Sequence, residues 1–182
     1  MPLLTTSLAL LMLANTTPDP APETHCTGQE ANLATYLEMT DVLFNKRLPN
    51  RAADFYAAEF ITHNVDEGGL GTKTVQPKFM DAMWANLEKI EPDRKLVNNV
   101  IICKDDLVIS QVTTSGSRAG ETLIGKPEGR RRYKTSAMDI YRFKDGKVVE
   151  RWGNNDMVAK SRQLGMELDL SPMPLPPETT QK

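Results

Sequence analysis

The stretch MDIYRFKDGKVVERWGNNDMVAKSRQLG, Met138–Gly165, decides the fold. Two strand-like runs flank Asp145-Gly146, and an Asp-Gly pair between such runs is the strongest short-range hairpin signal. Along the second run Val148, Glu150, Trp152, Asn154 and Asp156 share one parity. Strand side chains alternate between faces, so these five project together if the strand stays regular. An indole, an amide and a carboxylate then stand in a row. A carboxylate beside an indole is partly desolvated, which raises its pKa toward the range useful for proton transfer. On the first run Asp139 sits inside an otherwise strand-like stretch, a second acid if buried and otherwise an edge or outward residue. It faces the side of Trp152 if the turn is a two-residue loop, and a bulged turn reverses that relation.

Upstream, β-branched runs continue. Leu96–Cys103 and Leu107–Ser115 are joined by Lys104-Asp105-Asp106 as a hairpin. Ser117–Ile124 and Arg132–Phe143 read as further strands around a Gly125-to-Gly129 turn, and Val148–Asn154 as the last. Three helices precede this sheet: Glu30–Lys46, Asn50–Ala58 behind Pro49, and Val75–Ile90, which Pro92 stops. Glu59–Asn64 is a brief extended segment, and Gly68–Gly71 a loop. Val158–Leu164 closes the domain as a helical turn. Helices followed by a mostly antiparallel sheet indicate an α+β fold with the helices on one face of a curved sheet. The hollow between them suits a small molecule.

The division expected is a leader and linker over 1–29, one folded domain over 30–166, and a Pro-rich tail over 167–182. Met1–Ala14 is apolar but short for a bilayer span. Its length fits a signal-peptide apolar region, although no Lys or Arg precedes it. Secretion or periplasmic export is the expectation, a cytoplasmic location the alternative. Cys103 ends the apolar run Val100–Cys103 and reads as core; Cys26 lies in the expected tail. A disulfide between them suits an oxidising compartment, and the sequence leaves the pairing open.

The chain of 182 residues has a net charge of -2, which argues against nucleic acid as partner. Arg130-Arg131-Arg132 is the one basic run: a solvated strand edge, or a patch for an anionic substrate or acidic partner. No Cys-x-x-Cys, phosphate loop, dinucleotide fingerprint or nucleophile elbow is present. Neither a metal nor an organic cofactor is expected.

Three motifs resemble one family. Y-R-F-x-D-G-K-V-V-E-x-W-x-x-x-D with the following Q-L-G, the Gly125–Arg130 turn, and Tyr56–His63 occur in the order found in SnoaL-like polyketide cyclases. These belong to the nuclear transport factor 2-like superfamily. The resemblance runs from Ala31 to Gly165 and implies a conical barrel, with three N-terminal helices on a curved, mostly antiparallel sheet. It also implies a homodimer through the outer face of the sheet. It places Asp156 at the family's general acid/base position and His63 at its early pocket histidine. Where several relatives have histidine, this chain has Asn154.

The candidate catalytic residues are therefore Asp156, His63 and Asn154, the amide as oxyanion donor. Asp156 equally suits an N-cap before Met157-Val158-Ala159, and His63 a packed histidine. Substrate contacts fall to Glu59, Trp152, Asp139, Tyr36 and Tyr56. Glu59 shares strand parity with His63 and either orients it or stands solvated. Two functions follow. One is cofactor-independent cyclase, isomerase or lyase chemistry of aldol or dehydration type on a small apolar carbonyl compound. The other is an exported module that binds a small ligand or a partner without turnover. An entirely apolar cavity would favour binding.

Overall fold

The computed structural model describes residues 19–63, 71–120 and 128–166. The leader, the Gly68–Leu70 part of the expected loop, the Glu121–Ile124 half of one expected strand, the Gly125–Pro127 part of the turn and the Pro-rich tail lie outside the described residues.

Among the described residues seven strands form one sheet, in the order β1-β4-β5-β6-β7-β2-β3. They are β1 (Glu23–His25), β2 (Tyr56–His63), β3 (Thr72–Val75), β4 (Lys95–Lys104), β5 (Leu107–Ala119), β6 (Arg130–Lys144) and β7 (Lys147–Asn155). The pairs β1–β4 and β2–β7 are parallel and the rest antiparallel. Helices α1 (Glu30–Met39), α2 (Pro77–Ile90) and α3 (Met157–Leu164) pack against it. The expected α+β architecture is present.

Four local expectations change. The first helix ends at Met39 and continues as a wider π turn over Thr40–Asn45. There the Asn45 side chain accepts from Leu96 N at 2.9 Å and donates to Leu96 O at 3.1 Å, tying the turn to β4. The expected helix Asn50–Ala58 is only a 3-10 turn, Pro49–Asp54, and the chain is extended from Tyr56. Extension lets Tyr56, Phe60 and Thr62 all turn inward, and Val148 N donates to Phe55 O at 2.8 Å. The expected helix start at Val75 belongs to β3, with Gln76 as N-cap and Pro77 opening α2. Finally, Ser117 does not begin a new strand; β5 runs through it to Ala119.

Residues ahead of Glu30 also join the sheet. β1 pairs with Val100–Ile102, and Cys26 is bridged to Cys103. The disulfide staples this short strand to β4.

The β6–β7 hairpin turns at Asp145 and Gly146, with φ of 50° and 72°, the positive values of a two-residue I′ turn. Phe143 pairs with Val148 but Arg142 pairs with Glu150, so Val149 is an extra residue. This bulge reverses the facing of everything after it. Val148 is buried in the core, whereas Glu150, Trp152 and Asn154 face outward and Arg151, Gly153 and Asn155 inward. The expected single row from Val148 to Asp156 is therefore broken.

Candidate functional site

The inner face of β6 alternates Tyr133, Thr135, Ala137, Asp139, Tyr141 and Phe143, all buried. Opposite it, α2 presents Phe79, Met80, Trp84 and Leu87. Between them lies a cavity of about 440 Å³. Its apolar wall is completed by Phe44, Leu96 and Val112, and Thr62, Thr114 and Thr135 add hydroxyls. Asp156, Met157 and Lys160 close one side where α3 begins.

Asp139 and Arg151 form the polar floor. Arg151 Nη2 donates to Asp139 Oδ1 at 2.9 Å. The bulge at Val149 is what turns Arg151 inward. Gly153 is the residue opposite Asp139 in the ladder. A Cβ there would lie 2.5 Å from Arg151 Nη2 and 2.7 Å from Asp139 Oδ1, so a glycine leaves room for the pair. Burial pushes the Asp139 carboxyl above its ordinary 3.8, against the pull of Arg151. Burial disfavours the Arg151 charge, but its acidic neighbours outweigh it and the guanidinium stays protonated.

Tyr36 and Tyr56, expected as phenol donors to a ligand, are instead core residues, each 1% exposed. They pack with Tyr141 and Phe60 behind the floor, and Tyr36 donates to Asn98 Oδ1 at 2.8 Å. Burial pushes the Tyr56 phenol up to about 12.

The other expected site residues divide between the two faces. Asp156, expected to be desolvated beside Trp152, is instead exposed at the cavity rim, away from that indole, and caps α3, its Oδ1 accepting from Ala159 N at 2.8 Å. His63 lies on the outer face, stacked on Trp152 with centroids 4.7 Å apart. Its Nε2 is 2.8 Å from Glu150 Oε1, and its Nδ1 2.9 Å from Thr72 Oγ1. Glu150, from the neighbouring strand, orients His63, and Glu59 is exposed, the solvated one of its two readings. Asn154 pairs with the exposed Met138, and neither lines the cavity. The sheet thus separates Asp156 and Asp139 from His63, Trp152 and Asn154.

A second charged cluster borders the cavity, and the sequence reading missed it. Glu91, fully buried at the end of α2, accepts from Tyr133 Oη at 2.6 Å and pairs with Lys160 Nζ at 2.7 Å and with Arg118. Burial works to raise the Glu91 carboxyl, but the hydrogen bonds from Lys160 and Tyr133 outweigh it and hold it below 4.5. Arg94 lies over Trp84, its guanidinium carbon 3.9 Å from the ring centroid. Among the described residues no group of three metal-ligating side chains converges.

A curved sheet covered by helices around one polar-floored cavity is the architecture of nuclear transport factor 2-like α+β proteins. The chain belongs to the SnoaL-like polyketide cyclase family, whose model matches residues 34–164. IdmH from Streptomyces antibioticus, assigned as a polyketide cyclase, is similar at 20% identity and a TM-score of 0.64, covering 74% of this chain and 99% of that one. A protein from Bacillus cereus with the same assignment is 18% identical, with a TM-score of 0.64, over 85% of this chain and 97% of its own. AclR from Streptomyces galilaeus, assigned as a hydroxylase, is 25% identical with a TM-score of 0.60, over 75% and 96%. A search of curated proteins finds no match.

Proposed function

We propose that this protein is a cofactor-independent acid/base enzyme of cyclase, isomerase or lyase type, acting on a small carbonyl compound held in the cavity. Family membership supports the general class. The observation that carries the reading is two carboxylates in unlike surroundings, Asp139 buried beside Arg151 and Asp156 at the rim, lining one cavity. Unlike environments are how one site holds both an acid and a base.

In an aldol closure Asp156 removes a proton from the carbon next to a carbonyl. Arg151 offers N–H donors to the enolate oxygen. The enolate carbon attacks the second carbonyl, and the resulting alkoxide takes a proton from the Asp139 carboxyl, whose raised pKa suits donation. Return of the Asp156 proton to Asp139 through solvent restores both groups. His63, given a catalytic role by the family resemblance, and Asn154, given one by its amide chemistry, act in this scheme only through the sheet.

The alternative, binding without turnover, is favoured by an apolar cavity; the charged floor speaks for chemistry. Export to an oxidising compartment is part of the proposal, supported by the Cys26–Cys103 disulfide. A homodimer through the outer face is supported by exposed Ile61, Ile102 and Met138.

The test begins with a carbonyl-compound panel screened by thermal shift, since a bound ligand raises stability by mass action. Turnover of a hit is then compared in Asp139→Asn and His63→Ala. The expected result is a loss of at least about 100-fold in kcat for the first and under about twofold for the second. Undiminished turnover in Asp139→Asn would sink the assignment.

A further inference from the structure

The cavity is lined by more positive than negative charge, in a chain whose net charge is -2. Arg94, Lys95, Arg118, Arg151 and Lys160 line it, against the carboxylates of Asp139 and Asp156. The pairing within this set is uneven. Arg151 spends one N–H on Asp139. Lys95, half-exposed, reaches Asp19. Glu91 is a single carboxylate for two cations, Arg118 and Lys160, both of whose side chains are 14% exposed. Asp156 is held by the α3 backbone. Arg94 has no ion pair among the described residues; its guanidinium lies against the rings of Trp84 and Phe44. Burial lowers its pKa to about 10, which leaves it charged at neutral pH.

Partly buried cations without counter-charge cost free energy, and an anion placed among them recovers it. The approach has the same sign. An open cleft of about 480 Å³ shares Lys95 and Tyr133 with the cavity and adds Arg132 and Lys134. Its one lining carboxylate, Asp93, already accepts from Ser117 N and Oγ, each at 2.7 Å. Fields of one sign around a cleft concentrate ligands of the other. The wall facing these cations is apolar: Phe79, Met80, Trp84 and Leu87 of α2.

We infer that the ligand is an anionic amphiphile, with a carboxylate or phosphate head among Arg94, Arg118 and Lys160 and an apolar body along α2. The inference deepens the acid/base reading by placing a charged end on its carbonyl substrate, but the head-group preference needs no turnover.

The experiment uses the full chain and three probes of one shape: 2-naphthoate, 2-naphthyl phosphate and the neutral 2-naphthamide, titrated calorimetrically near neutral pH. At least one anion is expected to bind tenfold or more tightly than the amide, more weakly as salt rises, and the tighter anion identifies the head. Arg94→Met should cut that preference at least fivefold. Lys95→Met, at a half-exposed position where folding is not at stake, should cut it about twofold by weakening the local field. Equal or tighter binding of the amide, no binding of any probe, or a preference unchanged in both variants overturns the inference. Asp139→Asn separates the two readings: the anion preference should survive there. If turnover also survives, the catalytic reading fails alone.

Discussion

Arg151 and Asp139 meet at 2.9 Å across the floor of the cavity, brought to the same face by a single extra residue in β7. Replacing Arg151 by Met leaves the carboxyl buried without its partner. The expected loss is about 3–5 kcal/mol of folding stability, the usual cost of breaking a buried pair from one side. Replacing both, as Asp139→Leu with Arg151→Met, should cost less than the single change. Urea denaturation of the three variants tests this; a double mutant less stable than Arg151→Met would contradict it. In any active preparation, the ionisation assigned to Asp139 should fall above 3.8, because burial raises it, and higher still without Arg151.

Glu91 makes the opposite prediction for pH. Its carboxyl is held below 4.5 in the folded protein. Its contribution to stability is therefore complete above the unfolded value and is lost as pH falls through the lower folded one. Glu91→Gln should flatten that acid limb. It should also destabilise the protein by about 3 kcal/mol or more at neutral pH, because Arg118 and Lys160 are left facing one another. Urea midpoints from pH 3 to 7 provide the measurement, and equal slopes for variant and parent below pH 4.5 would refute it.

The bridge from Cys26 to Cys103 spans a sequence separation of 77. Closing a loop of that size removes unfolded-state entropy worth ~4 kcal/mol. Reduction, or paired replacement by Ser, should lower stability by about that amount and release β1 from β4. Denaturation with and without reductant, alongside hydrogen exchange at Glu23–His25, reads both effects. Unchanged stability on reduction would mean that the strand holds without its staple.

What the sequence discloses and what it hides have physical causes. Asp145-Gly146 marks its turn because few other residues tolerate two positive φ values in succession. The apolar spacing of α2 is plain for a similar reason, since one face must meet the core. The bulge carries no such mark. Val149 is as good a strand residue as Val148, and only pairing with β6 shows that one of them is surplus. That one slip carried Trp152 and Asn154 out of the cavity and Arg151 into it. It also concealed the reason for Gly153, which a sequence shows merely as a weak point in a strand. The cations Arg94, Arg118 and Lys160 come from the turn between α2 and β4, from β5 and from α3, so no local pattern could gather them. β1 is too short to signal itself, and its partner strand lies over 70 residues away.

Asp156 is both a cap and a candidate proton carrier, and two substitutions separate the roles. Asn caps a helix nearly as well as Asp, whereas Ala does not. Asp156→Asn should therefore leave stability within a few tenths of a kcal/mol, while Asp156→Ala should lose about 1 kcal/mol with the hydrogen bond from Ala159 N. Neither side chain can take a proton as a carboxylate does. If Asp156 starts the reaction, both variants should lose at least about 100-fold in kcat, with substrate affinity little altered. If it only secures α3, activity should follow stability: near-parental in the Asn variant and reduced in the Ala variant through loosening of Met157 and Lys160 at the cavity edge. Turnover of a panel hit, measured beside urea midpoints for the same preparations, distinguishes the two. Full activity in Asp156→Asn would leave Asp139 as the one carboxylate able to carry the chemistry proposed for this cavity.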